Sequence, residues 1–110
     1  MAKIKETWLR FPPSDSIDVV TNKLYLEVSP GVVTESSPSF DIGNYINGDG
    51  LVEVNLAVIP GMTTLDGVYN VGVAAVDDRG NEASMVIATD VALDFLAPNP
   101  VGALVFSEVW

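Results

Sequence analysis

Apolar residues in this chain recur at every second position, in short runs cut apart by Pro, Gly, Asn and Asp. That alternation constrains the fold more than any other feature, because side chains point to opposite faces of a strand with a period of two, whereas a helix needs 3.6. Leu9 and Phe11 share a face before Pro12-Pro13, and Leu24, Leu26 and Val28 share one before Pro30-Gly31. A short edge strand is expected over Phe40–Ile42, ahead of the turn-rich Asn47-Gly48-Asp49-Gly50. Val52, Val54, Leu56 and Val58 alternate up to Pro60-Gly61, where a missing N–H and a flexible glycine end pairing. Tyr69, Val71, Val73 and Ala75 then face one way, and Met85, Ile87, Thr89, Val91, Leu93 and Phe95 form the last long strand. Turn signals at roughly ten-residue spacing, without helical periodicity, predict an all-β fold: a two-sheet antiparallel β-sandwich of about seven strands.

At 110 residues with 48% apolar composition, the chain suits one core, since domains run to about 100–150 residues. Fifteen acids against five bases give a net charge of -10. A polyanion gains nothing from releasing phosphate counterions, so nucleic acid is not an expected partner. No apolar run reaches the about 20 residues of a spanning helix, so membrane insertion is not expected either. The absence of Cys and His removes thiolate nucleophiles, imidazole bases, disulfides and the common zinc and haem sites. Lys3, Lys5 and Glu6 stand where a secretory signal has its apolar stretch. The compartment stays open: extracellular or cell-surface if the sequence is a module of a longer exported chain, cytoplasmic otherwise.

The order of these features resembles a fibronectin type III module, or more broadly an immunoglobulin-like sandwich of the bacterial multi-domain kind. Leu9-x-Phe11-x-Pro13 resembles the second strand of that family, with Phe11 in place of the usual Trp. Tyr69-Asn70-Val71-Gly72-Val73-Ala74-Ala75, followed by Gly80-Asn81, resembles its sixth strand and the loop beyond. The resemblance implies structural roles for Phe11 and for Tyr69, whose hydroxyl would bond upstream backbone as a tyrosine corner. Residues 1–6 are short and polar for a first strand, and the Pro98-Asn99-Pro100 run resembles the start of a following module. Residues 1–97 are therefore read as the sandwich. Residues 98–110 are read as a linker or an extra edge strand; if unpaired, Leu104, Phe106, Val109 and Trp110 invite self-association through 101–110.

Residues 24–110 carry one base, Arg79, against twelve acids. If the resemblance holds, three loops meet at one pole and gather Asp15, Asp18, Asn47, Asp49, Asp77, Asp78, Asn81 and Glu82. Such an oxygen-rich set offers the ligand types calcium takes, although Asp, Asn and Gly are also ordinary turn formers. Arg79-Gly80-Asn81 lacks the acid of an adhesive Arg-Gly-Asp tripeptide and reads as a tight turn. Trp8 and Tyr25 fall on the outward parity of their strands, where they form either a sugar-stacking platform or packed sheet aromatics. Adjacent Asp77 and Asp78 would point to opposite faces of a strand and not close on one substrate unless the loop bends them.

The expectation is a non-catalytic structural or interaction module that acts as a spacer or protein-binding unit beside neighbouring modules or another protein. No cofactor is expected beyond the calcium that the acidic pole would take. The alternatives are a calcium- or carbohydrate-binding sandwich, or a structural subunit of a virion or tail assembly.

Overall fold

A computed structural model of the chain describes residues 6–95 and 98–107. The described residues form two antiparallel sheets and no α-helix. Strands β1 (Trp8–Phe11) and β4 (Val52–Asn55) pair in one sheet. The other has the order β3–β2–β5–β6, from β2 (Val19–Val28), β3 (Ser39–Asp41), β5 (Asp66–Asp77) and β6 (Val86–Asp94). Six strands thus stand where about seven were expected, because Glu6-Thr7 and residues 98–107 join no sheet.

The inner faces follow the alternation. Leu24, Leu26, Val54, Val71, Leu93 and Phe95 are buried between the sheets, with Leu9, Phe11, Tyr69 and Val73 packed against them. Burying each such side chain is worth about 1.5–3 kcal/mol, and this term holds the two sheets together. Asn22 sits on the same inner face, buried but satisfied: its amide donates to the Gly43 carbonyl at 2.8 Å and to Asn44 Oδ1 at 3.1 Å. It thereby ties the loop after β3 to the start of β2.

Two expectations about strand extent change. The run expected to continue to Val58 stops at Asn55, whose side-chain oxygen accepts the Ala57 N–H and turns the chain into a 3-10 turn over Leu56–Val58. Asn competes with the sheet ladder in this way because its short side chain reaches backbone two residues on. A second turn over Met62–Thr64, entered through Gly61 at φ 86°, buries Met62.

The single face expected over Met85–Phe95 is split by a bulge. Tyr69 pairs with Val91 and Val71 with Ala88, so Thr89 and Asp90 together oppose Asn70. Asp90 takes a left-handed φ of 56°, its N–H donating to Asn70 Oδ1 at 3.1 Å and its carboxylate accepting from Ser29 at 2.7 Å. A bulge flips the parity of what precedes it. Val91, Leu93 and Phe95 remain inward, but on the other side of the bulge the inward residues are Val86 and Ala88, opposite Val73 and Val71.

The outer face of the larger sheet carries its own small core of Tyr25, Val33 and Ala74, with Met85 packed on it. Gly72 makes room for Met85, since a Cβ there would lie 2.7 Å from its sulfur. The loop after β2 is folded onto this face through Ser37, which receives the Thr34 N–H at 2.9 Å and donates to Glu27 at 3.0 Å.

Candidate functional site

The acidic pole assembles only in part. Carboxylate oxygens of Asp18, Asp77 and Asp78 lie within 4.8 Å of one another, the one such group among the described residues. Strand β5 ends at Asp77, and the turn beyond it swings Asp78 back, its N–H donating to the Asp18 carbonyl at 3.1 Å. The two neighbours therefore converge instead of pointing apart. Asp77 is a turn organiser: it accepts the Arg79 and Asn81 N–H groups and the Asn81 amide at 2.8–3.0 Å. These bonds hold its pKa below the usual carboxylate range, the Asn81 side chain contributing most. Gly80 at φ 84° completes the tight turn expected of Arg79-Gly80-Asn81.

Asn81 and Glu82 line the same small polar pocket as Asp18 and Asp77, but their polar groups are already engaged, and Asn47, Asp49 and Asp15 lie outside it. Glu82 accepts the Tyr25 hydroxyl and lies 3.4 Å from Lys23. The bond from Tyr25 lowers the Glu82 pKa, and it is the first cause of the rise in the Tyr25 pKa to about 12. Asn47 closes its own loop, accepting the Asp49 and Leu51 N–H groups and donating to Glu53 at 3.3 Å. Asp49 belongs to that loop, and Asp15 is exposed and outside the trio. Of the six carboxylate oxygens in the trio, both of Asp77 are engaged by its own turn, which leaves four against the six to eight calcium takes.

Trp8 and Tyr25 do not form one platform. Tyr25 is buried beneath Val33 and Met85 on the outer face of the larger sheet. Trp8 lies half-exposed on β1, its indole N–H donating to Glu6 at 3.1 Å and the Arg10 guanidinium 5.6 Å over its ring. Arg10 is turned there by Glu53, 2.6 Å away on the paired strand. Phe11 packs against the core. Tyr69 does so too, but no hydrogen bond among the described residues involves its hydroxyl. The upstream backbone is engaged elsewhere, Leu65 N–H by the Met62 carbonyl and its C=O by Phe95.

Strand parity did not reveal a second concavity. A two-stranded sheet cannot cover a four-stranded one, and the inner face of β5 and β6 overhangs it beyond β1. There an apolar groove of about 600 Å³ opens, lined by Leu9, Phe11, Pro13, Val73, Val86 and Ala88, with no charged residue in its wall. This volume lies within the about 300–1,000 Å³ usual for ligand sites. Val86 faces the interior yet is 79% exposed, because nothing among the described residues stands opposite it. The groove runs beside the outer edge of β1, which pairs with β4 and with no other described strand. A β-edge of this kind presents unpaired N–H and C=O groups to any extended segment that approaches. Thr89 and Asp90 fit the alternation of an unbroken strand, so the bulge that turns Val86 and Ala88 into the groove left no mark in the sequence.

Beyond Phe95 the described tail, residues 98–107, is exposed at every position and forms no strand. The radius of gyration is 18.5 Å, against about 13 Å for a compact domain of this length. Comparison with protein-family models, curated proteins and solved structures finds no significant match to the chain.

Proposed function

We propose that the chain is a non-catalytic structural and interaction module, an immunoglobulin-like sandwich of the fibronectin type III kind, that takes an extended polypeptide segment along its open flank. The pairing of β1 with β4, and of β2 with β5 and β5 with β6, supports the fold part. An immunoglobulin-like sandwich sets its B and E strands in one sheet and its C, F and G strands in the other. The observation that carries the functional part is the uncharged groove beside the single-neighbour strand β1. Backbone donors and acceptors of that edge would supply affinity, and the apolar wall would select alternate side chains, as in strand addition. In a larger assembly such a module sets spacing and holds a partner at one edge.

The test is an amide NMR titration with a soluble peptide of alternating Val and Thr, at moderate salt to suppress charge effects. The expected result is saturable shifts at Trp8–Phe11 and Val86–Ala88, lost in Val86→Arg. Shifts spread over the surface, or none at those residues, would refute the reading. The exposed apolar tail favours a second reading, a structural subunit that assembles with copies of itself.

A further inference from the structure

We infer that the segment seated in the groove is the C-terminal tail of a second copy of this chain, with residues 101–106 lying along β1 as an added strand. The inference rests on the reading that the flank takes extended polypeptide, and names its occupant.

The tail has the chemistry the groove requires. Val101-Gly102-Ala103-Leu104-Val105-Phe106 is uninterrupted apolar sequence, bounded by Pro100 and Ser107. Val101, Leu104, Val105 and Phe106 are 74–90% exposed. A monomer gains nothing from displaying them, and such a run pairs readily with an open edge. Both parities are apolar, as in strands covered on both faces. On β1 of a second copy, Leu104 and Phe106 would fill the groove while Val101 and Val105 meet the outer face, where Trp8 stands half-exposed. Charge points the same way. In a chain of net charge -10, residues 98–107 carry none, and neither does the groove wall. The tail is thus an exposed segment of an acidic protein that can approach another copy without bringing anionic charge into an apolar site.

Strand direction separates a second copy from the same copy. The end of β1, at Phe11 to Pro13, lies beside the beginning of β6, at Val86 to Ala88. Therefore β1 and β6 run in opposite directions. A tail that turned back after β6 would run parallel to β1, in the less stable kind of pairing. A tail arriving from another molecule has no such constraint and can pair antiparallel. Because the donor tail and the acceptor groove are different surfaces, the contact is head-to-tail, and it grows into open chains unless the rotation between copies closes a ring.

Complementation tests this. Leu104→Ser with Phe106→Ser removes the donor without touching the body, since both side chains are exposed; Val86→Arg blocks the acceptor at an exposed position. Sedimentation velocity on the full chain should show wild-type oligomers that lengthen with concentration. Each variant alone should be monomeric. Their equimolar mixture, which has one sound groove and one sound tail, should form a 1:1 dimer and stop there. Urea melts of both variants confirm that they fold. Oligomers that survive the tail substitutions overturn the inference, as does a mixture that stays monomeric. A monomeric wild type whose Val101–Phe106 amides are protected from exchange overturns it in favour of the chain's own groove. The Val/Thr peptide titration, run on the tail variant, reports separately whether the flank binds polypeptide at all.

Discussion

Replacing Tyr25 with Phe removes one hydroxyl and no packing, which isolates the bond that Tyr25 donates to Glu82 across the outer face of the larger sheet. Tyr25 is 3% exposed, and its pKa rises from 10.0 to about 12, with the Glu82 bond the largest cause. A hydrogen bond to a charged group is worth about 1.5–3 kcal/mol. Glu82 is 30% exposed, so water takes up part of the lost interaction in the variant, and the discounted cost is about 1–2 kcal/mol. For a domain of this size that lowers Tm by about 4–9 °C. The pH dependence follows from the two shifts. Glu82 has a lowered folded pKa, so its contribution is present above its unfolded value and lost as pH falls through the folded one. Tyr25 has a raised folded pKa, so its contribution is full below about 10 and lost as pH rises toward about 12. Urea unfolding of wild type and Tyr25→Phe across this range should therefore give a difference that is flat from about pH 5 to pH 10 and shrinks at both ends. A difference under about 0.3 kcal/mol at neutral pH, or one that does not shrink at either end, would refute the assignment, since a hydrogen bond to a charged group is worth more than that.

Phe95 is 2% exposed at the centre of the main core, so Phe95→Ala should cost about 3–5 kcal/mol in thermal or urea unfolding; a cost below about 1 kcal/mol would mean that β6 does not close the sandwich. At the bulge, Asp90→Val should be less stable than Asp90→Gly by about 1–2 kcal/mol, because φ is 56° there and a branched side chain resists the left-handed region; equal melts would remove the bulge. Asp77→Ala should speed amide exchange at Arg79 and Asn81, whose N–H groups it receives, and unchanged exchange there would show the turn is held by something else. In a calcium titration with magnesium as control, the Asp18, Asp77 and Asp78 trio should bind no tighter than about 1 mM, for want of further free ligands; a tighter saturable site would contradict the commitments of Glu82 and Asn81 seen here.

Much of the fold was legible because alternation is a local signal. Leu24 and Leu26, Val52 and Val54, and Tyr69 through Ala75 have the expected phase, since each residue's face is set by its immediate neighbours in a regular strand. Tyr25 has the expected outward phase too, but its burial does not follow from phase. It depends on the loop carrying Val33, which folds over that face. Asn22 shares the phase of Leu24 and Leu26, but whether a polar amide can be buried there does not follow from phase; it depends on Gly43 and Asn44, which accept its hydrogen bonds. The acidic pole was half legible. Loop proximity brought Asp18, Asp77, Asp78, Asn81 and Glu82 to one end, while hydrogen bonds to Tyr25 and to Asp77 engage Glu82 and Asn81, and Asn47 is held within its own 47–51 loop.

By itself the sequence determined an all-β chain, an acidic surface, the absence of thiol and imidazole chemistry, and the positions of most turns. Each of these depends on residue type or on spacing along the chain, and neither changes when the chain folds. Tertiary structure alone decided that a bulge at Asp90 would turn Val86 and Ala88 inward, that a two-stranded sheet would face a four-stranded one, and that the uncovered remainder would form a groove. Those outcomes depend on how many strands each sheet holds and which of them lacks a neighbour, which is settled only when distant segments compete for the same edge.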